Sequence, residues 1–300
     1  MSPEISIIVI SYKMARELPR TLLSLTSRYQ QHCPPGRCEV LLIDNGTPTP
    51  PRRDDFANLD LDLSVHVWPN PTPSPAAAIN HGLSLARAPL IGVWIDGARL
   101  ASPGLIDACA RAAALHPRAV VATFNYHLGP DIQVASVLKG YDRQEEDRLL
   151  DSIDWPNGAH RLSEISTPVW HSGAHGPMLE SNALFMSRTL WDELGGYDER
   201  FVGPGGGGVN PDVFIRACEQ PDTQLIRVKH EGTYHQYHGG TISNAPNYAL
   251  DAGKQLASEY YRIRRKPLRA VRETGWLFDP RTGTVTTDRD PDSAGHGGAP

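Results

Sequence analysis

The chain has 300 residues and a formal net charge of -5, from 29 Lys and Arg against 34 Asp and Glu. Its 40% hydrophobic and 21% charged residues argue against a disordered chain, and its acidic balance argues against a nucleic-acid-binding module. No apolar run approaches the roughly 18 residues of a membrane span, and Glu4 stands where a secretory signal carries basic residues. We therefore expect a cytoplasmic protein of one or two domains.

Four cysteines are too few and too scattered for a disulfide framework. Cys33 and Cys38 form the one pair that is close in sequence, and no second pair follows at the spacing of a zinc site. We interpret both as loop thiols in a protein of a reducing compartment.

The first half of the chain alternates between apolar runs and helical patterns. Residues 5–10, 40–43, 65–68 and 90–95 are short apolar runs typical of buried strands. Apolar residues at helical spacing follow the first and the third of these runs. This alternation predicts a doubly wound α/β sheet.

The second half of the chain is less regular. Residues 128–180 are rich in Gly, Pro, His and Trp, and their weak periodicity supports no assignment. A strand that leads into a helix is predicted at 181–194, and a second helix at 212–219. A last strand at 225–228 and a terminal helix at 248–265 complete the predicted elements.

Two of the predicted strands end in an aspartate. Asp44 follows the run at 40–43, and Asp96 follows the run at 90–95. Open α/β sheets bind their ligands at the carboxyl ends of the strands. The two carboxylates are therefore candidates for one binding site.

Four segments together resemble a family 2 glycosyltransferase of the GT-A type. They are ISIIVISY at 5–12, LIDNG at 42–46, AAINHG at 77–82 and WIDGA at 94–98, and LGGYDERF at 194–201 resembles the family's acceptor-side signature. The resemblance implies a GT-A-like fold, with a mostly parallel mixed sheet and helices on both faces. It also implies inverting transfer of a sugar from a nucleotide diphosphate to a hydroxyl of a glycan, lipid-linked or small-molecule acceptor.

The resemblance covers about residues 4–240 and suggests a domain organisation. We expect a glycosyltransferase domain at 1–245, with its nucleotide-binding half at about 1–125 and its acceptor half at about 126–245. A C-terminal helical extension is expected at 246–281, and a polar, disordered tail at 282–300.

A nucleotide sugar needs a base pocket, a ribose contact and a counter-charge for its diphosphate. Tyr12 could pack on the base, and Asp44 could accept a hydrogen bond from an imide N–H of the base. Loop packing for Tyr12 and a turn-forming role for Asp44 are the structural alternatives. The predicted substrate-binding residues are Ser11, Tyr12, Asp44, Asn80, Asp96 and Arg99.

In related enzymes, the residue that matches Asp96 begins a DxD motif that holds a divalent cation, Mn²⁺ or Mg²⁺, on the diphosphate. Here Ala98 replaces the second carboxylate, so the cation would lack one of its usual oxygen ligands. One interpretation is that His235 or His238 completes a metal site with Asp96, and imidazole would favour Mn²⁺.

The other interpretation needs no metal. Arg99, with Arg216 or Lys229, would then neutralise the leaving diphosphate directly. The sequence leaves both interpretations open.

An inverting transfer needs a base to remove the proton of the acceptor hydroxyl. Asn210 occupies the position where the family carries this base, and an amide cannot serve. Asp212, near the start of a predicted helix, and Glu180, before a predicted strand, are the candidate bases. A histidine such as His175 or His238, or a retaining mechanism, is the remaining alternative.

Two further segments suggest functions around the acceptor. The glycine run at 203–208 lacks the Lys and Ser/Thr of a phosphate-binding loop and is predicted to be a flexible lid. The terminal helix is rich in Arg beside Tyr260 and Tyr261, which suggests peripheral membrane contact or a lipid-linked acceptor. A solvated helix face is the simpler interpretation.

Two other functions fit parts of the sequence. A catalytically silent nucleotide- or glycan-binding protein would explain Ala98 and Asn210 at positions where the family has carboxylates. A metal-dependent hydrolase or nucleotidyltransferase could use Asp96 and the histidines.

Overall fold

The computed structural model describes residues 2–169, 174–239 and 246–287. The strands of these residues are β1 (Ile5–Ser11), β2 (Cys38–Asp44), β3 (Asp62–Val67), β4 (Leu90–Trp94), β5 (Arg99–Ala101), β6 (Ala119–Leu128), β7 (Ser166–Pro168), β8 (Ala183–Ser187), β9 (Gln224–His235), β10 (Trp276–Asp279) and β11 (Thr284–Thr286). Their α-helices are α1 (Leu18–Leu23), α2 (Ala76–Leu85), α3 (Leu105–Ala113), α4 (Gln133–Leu138), α5 (Arg143–Ser152), α6 (Arg188–Leu194), α7 (Val209–Glu219) and α8 (Pro246–Arg264). No helix of the described ranges combines the length and the apolar character that a membrane crossing needs.

The strands form one mixed sheet in the order β11-β10-β9-β6-β8-β4-β1-β2-β3. The pairs of β1 with β2 and β4, of β2 with β3, and of β9 with β6 and β10 are parallel. Strand β8 runs antiparallel between β4 and β6, and β11 is antiparallel to β10. The predicted mostly parallel, mixed α/β sheet is confirmed.

The sheet is covered on both faces because its central strands are apolar at consecutive positions. Every residue of β1 is buried, and successive side chains of a strand point to opposite faces. Ile7 and Val9 therefore pack in one core cluster with Leu22 of α1. Ile8 packs in the cluster on the opposite face, with Ile79 of α2.

Helix α2 lies close against β1 because of Gly82. A Cβ atom added at Gly82 would lie 3.2 Å from Ile43 Cγ1 and 2.7 Å from Ile8 Cγ2, and the second distance is shorter than real Cβ contacts. The contact between Gly82 and Ile8 therefore sets the distance between α2 and β1.

Gly82→Ala is expected to lower the free energy of unfolding by about 1–3 kcal/mol, because the added methyl group overpacks the contact with β1. Gly253→Ala is the matched control, since Gly253 is also helical and an added Cβ there meets no atom within 4 Å. The control should keep or slightly raise stability, because alanine favours helix. Urea denaturation measures both, and equal stability of the two variants would contradict the close approach.

The C-terminal region differs from the helical extension expected at 246–281. Helix α8 ends at Arg264, and Trp276–Asp279 then joins the main sheet as β10, parallel to β9. Leu277 and Phe278 are buried, and Phe278 packs in the same cluster as α3. Burial of these apolar side chains stabilises the docking of β10 on the sheet beside β9. The predicted tail begins with β11, and residues 288–300 lie outside the described residues.

Candidate active site

The carboxyl ends of β1, β2 and β4 lie side by side at one edge of the sheet. Ser11 at the end of β1 is the register partner of Asp44 at the end of β2. Strand β4 flanks β1 on its other side, and Asp96 follows β4 by two residues. The sheet therefore carries the two predicted aspartates at the same edge, on either side of β1.

The carboxylate of Asp44 is fully buried and already saturated with hydrogen bonds. Its Oδ1 accepts from Ser11 Oγ at 3.0 Å and from Thr47 Oγ1 at 2.6 Å. Its Oδ2 accepts from the backbone N–H of Gly46 at 3.2 Å and of Thr47 at 2.8 Å. A carboxylate offers about four acceptor positions, so the turn-forming role accounts for all its contacts. A nucleobase would have to displace one of these donors.

Tyr12, directly after β1, has an exposed aromatic side chain at this edge of the sheet. Its side chain is 48% exposed, and Lys13 Nζ lies 4.9 Å from the centre of its ring. The backbone N–H of Lys13 donates to Thr47 Oγ1 at 2.8 Å, which ties the loop after β1 to the turn after β2. An exposed ring on an anchored loop can stack on a planar ligand.

Asn80 of α2 holds a turn of the acceptor half. Its Nδ2 donates to the carbonyl of Tyr197 at 2.9 Å and to Glu199 Oε1 at 2.9 Å, and its Oδ1 accepts from the N–H of Tyr197 at 2.8 Å. Both ends of the amide are therefore occupied. Asn80 thus links α2 to the turn at 197–199, and one lone pair of its Oδ1 is not used by these bonds.

Asp96, His235 and His238 come together, as one of the two interpretations predicts. Asp96 Oδ2 lies 2.9 Å from His235 Nε2 and 3.4 Å from His238 Nε2, and the two Nε2 atoms are 3.0 Å apart. The short strand β5 causes this approach, because it pairs Arg99 with His235. The N–H of Gln236 also donates to the carbonyl of Ala98 at 2.8 Å.

The surroundings of this cluster favour an ionised Asp96 beside a neutral His235. Burial opposes ionisation of Asp96, but His238 and His235 hold its pKa well below the usual range. Burial, with Arg99 nearby, lowers the pKa of His235 to about 4. Burial also lowers the pKa of His238, but Asp96 outweighs it and the net shift is upward. A pKa near 4 makes His235 neutral at pH 7. Its Nε2 can then bind a cation when the proton of the imidazole is on Nδ1.

The three ligand atoms have the spacing that a divalent cation requires. Neighbouring ligands at about 2.1 Å from an octahedral ion lie about 3.0 Å apart, close to the separations of 2.9, 3.0 and 3.4 Å within the cluster. Asp96 Oδ1 accepts from the N–H of Ala98 at 2.9 Å, which leaves Oδ2 directed at the histidines. This is the one such cluster of three or more acidic, His or Cys groups within the described ranges. One carboxylate and two imidazoles therefore fit a metal site.

The alternative of a cationic cluster without metal finds less support. Arg99 is buried, and its Nη2 lies 3.7 Å from Asp96 Oδ2 while Nη1 donates to Asn125. Arg216 is engaged with Asp212, and Lys229 lies 3.7 Å from Asp279 at the far strand β10. Only Arg99 of the three predicted cations faces Asp96.

Asp212 is enclosed between two arginines. The residue is 0% exposed, and Arg264 of α8 donates to its Oδ1 through Nε at 2.5 Å and to its Oδ2 through Nη2 at 2.7 Å. Arg216 Nε donates to Oδ2 at 2.8 Å, and Arg264 Nη2 also lies 2.7 Å from Asp198 Oδ2. The carboxylate thus joins α7 to α8 and has no surface for an acceptor hydroxyl.

Asp212→Asn is therefore expected to lower the free energy of unfolding by about 3 kcal/mol, since it leaves two guanidinium groups without their buried anion. Asp151→Asn, at an exposed position of α5, is the control and should change stability by less than about 0.5 kcal/mol. Chemical denaturation checks both. If Asp212→Asn is as stable as the parent but transfers sugar far more slowly, Asp212 acts as the base after all.

Glu180 lies beside Asn210, at the position where a base is expected. Asn210 Nδ2 donates to Glu180 Oε2 at 2.8 Å and to the carbonyl of Ser181 at 3.3 Å. Glu180 is half-buried. Sequence reasoning missed this pairing, because 30 residues separate the partners and no spacing indicates the contact.

Comparisons with known proteins agree with this fold. The family model for Glycosyl transferase family 2 matches residues 6–157, whereas the curated proteins contain no match. Among solved structures, S. aureus TarS is 13% identical with a TM-score of 0.52, and the match covers 87% of this chain and 40% of TarS. Its fragment 1–349 in complex with UDP is 13% identical with a TM-score of 0.54, over 87% of this chain and 66% of the fragment.

A third similar structure is the mannosyltransferase PcManGT from Pyrobaculum calidifontis, in complex with GDP-Man and Mn²⁺. It is 15% identical with a TM-score of 0.53, over 90% of this chain and 66% of that chain. The chain therefore spans less than two thirds of the length of these proteins. At such identities, the similarity shows a common fold.

Proposed function

Because this chain belongs to glycosyl transferase family 2, we propose that it transfers a sugar from a nucleotide diphosphate to a hydroxyl acceptor. The observation that carries the proposal is the cluster of Asp96, His235 and His238 at the carboxyl edge of the sheet. An ionised carboxylate beside a neutral imidazole suits a cation, and nucleotide sugars bind at this edge in sheets of this type. UDP in TarS and GDP-Man in PcManGT support a nucleotide donor.

Asp96, His235 and His238 would hold the divalent cation. When bound, the cation supplies positive charge to the leaving diphosphate. Two imidazoles and one carboxylate favour Mn²⁺ over Mg²⁺, which prefers oxygen ligands. Arg99 adds fixed positive charge on the same side, since its guanidinium group faces Asp96. Tyr12 offers its exposed ring to the base.

For the acceptor we propose Glu180 as the general base. The amide of Asn210 donates to one of its oxygens, which fixes the carboxylate and leaves the other oxygen to accept a proton. Asp212 is unsuited, because its oxygens are held by Arg264 and Arg216. A base on the opposite side of the sugar from the leaving diphosphate implies an inverting transfer.

Helix α8 anchors the glycine-rich segment at 203–208, which we propose as a lid over the acceptor. Glu259 of α8 accepts hydrogen bonds from the N–H groups of Val202 at 3.0 Å and Gly203 at 3.1 Å. Gly207 packs so closely against Glu259 that an added Cβ would overlap an oxygen of that carboxylate. These contacts support a domain organisation in which residues after 245 stabilise the acceptor half. The structure does not favour the peripheral membrane contact expected for α8, because Tyr260 is buried and Arg264 is held by Asp212 and Asp198.

A panel of radiolabelled nucleotide sugars with Mn²⁺ tests the function. We expect turnover of one donor, by transfer or by slow hydrolysis to the nucleoside diphosphate. Nucleotide binding without turnover of any donor would instead support a catalytically silent binding protein. Release of nucleoside monophosphate or of pyrophosphate would indicate a hydrolase or a nucleotidyltransferase.

A further inference from the structure

The loop before β2 brings two thiols together, far from the candidate active site. Cys33 Sγ and Cys38 Sγ lie 3.3 Å apart, and the two residues are 5% and 8% exposed. A disulfide bond is about 2.0 Å long, so closure needs a relative movement of about 1.3 Å. Cys38 begins β2, whereas Asp44 ends it at the opposite edge of the sheet.

A tight turn between the cysteines sets this approach. The N–H of Arg37 donates to the carbonyl of Pro34 at 3.1 Å, and Gly36 has a φ of 82°. Proline at the second position and glycine with positive φ at the third are the features of a type II turn. The backbone itself therefore holds the sulfur atoms in contact.

The guanidinium group of Arg37 is fixed beside the pair. Its Nη1 donates to the carbonyl of His32 at 2.5 Å and to Asp107 Oδ1 at 2.9 Å, and its Nε donates to Glu4 Oε2 at 2.9 Å. The contact with Cys38, with help from Arg37, lowers the pKa of Cys33. The same contact, with burial, raises the pKa of Cys38. The two thiols are therefore unequal, and Cys33 is the more readily ionised.

A metal does not explain the pair. Within the described ranges, no third His, Cys, Asp or Glu ligand atom gathers with the two sulfur atoms to form a three-ligand site. Two thiols in contact, one of them favoured as the thiolate, meet two requirements for a reaction with an oxidant, and the low exposure of both limits that oxidant to a small molecule.

We propose that Cys33 and Cys38 are a peroxide-reactive dithiol that closes to a reversible disulfide. The Cys33 thiolate attacks hydrogen peroxide, the O–O bond breaks, hydroxide leaves, and Cys33 becomes a sulfenic acid. Cys38 then attacks this sulfur atom and gives up its proton, so that the S–S bond forms and water leaves. Two thiols and one peroxide thus yield one disulfide and two waters, and a dithiol reductant reverses the reaction.

The test treats the reduced full-length chain with equimolar hydrogen peroxide and measures intact mass, a peptide map and free thiols after denaturation. We expect a mass loss of about 2 Da, a link between Cys33 and Cys38, and a fall from the four thiols of the sequence to two. Dithiothreitol should restore them. Four remaining thiols, a different linkage, or irreversible oxygen addition would overturn the proposal. Because this readout needs no substitution, it does not depend on how the variants fold.

Three variants separate the roles of the cysteines. Cys38→Ser should accumulate a sulfenic acid at Cys33, which dimedone traps, because no second thiol remains to resolve it. Cys33→Ser should give neither a disulfide nor a dimedone adduct. Cys218→Ser is the control, since Cys218 is the least buried cysteine, and it should form the disulfide like the parent chain. An internal disulfide in either of the first two variants, or none in the control, would contradict the assignment.

Discussion

Glu180→Gln is expected to slow sugar transfer by about 10²–10⁴-fold, the usual contribution of a general base. The amide keeps the shape of the side chain but cannot accept the acceptor's proton. The nucleotide affinity should change by less than about twofold, because we place Glu180 at the acceptor and not at the nucleotide. Loss of a general base lowers the rate of transfer without weakening the binding of the donor. Single-turnover kinetics together with nucleotide titrations measure the two effects.

Glu199→Gln is the matched control for that substitution. Glu199 is an exposed carboxylate 19 residues after Glu180, and it accepts a hydrogen bond from Asn80. We expect its transfer rate to stay near that of the parent chain. A normal rate in Glu180→Gln would remove Glu180 as the base and return the role to a histidine or to a mechanism without a protein base.

Asp96→Asn is expected to weaken Mn²⁺ binding by about 100-fold or more, since loss of a ligand exceeds the 10–100-fold effect of outer-shell changes. Transfer should fall to background, because the carboxylate Oδ2 is the one anionic member of the cluster with His235 and His238. Isothermal titration with Mn²⁺ and donor turnover at saturating nucleotide sugar check the expectation.

Asp279→Asn provides the comparison for Asp96→Asn. It removes another aspartate–histidine pair, in which His230 Nε2 lies 3.1 Å from Asp279 Oδ2 at strand β10. This pair lies outside the candidate site, so Mn²⁺ affinity and turnover should be unchanged. Equal losses in both variants would show that the effect of Asp96→Asn is a general consequence of removing an acidic side chain.

The first strands of the sheet could be predicted because β1 and β2 are buried on both faces. The run at 5–10 is buried at every position, and such runs indicate parallel strands covered by helices. Strand β10 was missed, because four residues after an irregular stretch carry little periodicity. Its parallel partner β9 lies about fifty residues earlier in the chain, and nothing local to Trp276–Asp279 indicates that pairing.

The sequence indicates a site residue best when its side chain suits few chemical roles. A metal site of Asp96 with His235 or His238 is one of the two interpretations that the sequence leaves open. The structure brings the three residues together through β5, a three-residue strand with no sequence signal of its own. For Asp212, the same residue type fits a base or a buried ion pair. Arg264 decides between them, and it lies 52 residues away in the chain.

Asp44 illustrates a second limit of the sequence. Its position at the end of β2 suggested a contact with the base, but Ser11 and residues 46–47 satisfy its oxygens. A local turn and a ligand contact use the same acceptor atoms, so the sequence alone does not separate them.

The central claim is that the cluster of Asp96, His235 and His238 binds a cation that in turn binds a nucleotide diphosphate. Titration of UDP and GDP into the full chain, with and without Mn²⁺, tests it most directly when repeated with the double substitution His235→Ala and His238→Ala. We predict that Mn²⁺ tightens nucleotide binding by at least about tenfold in the parent chain and has no effect in the double variant. The same tightening in the double variant, or its absence from the parent, would contradict the account.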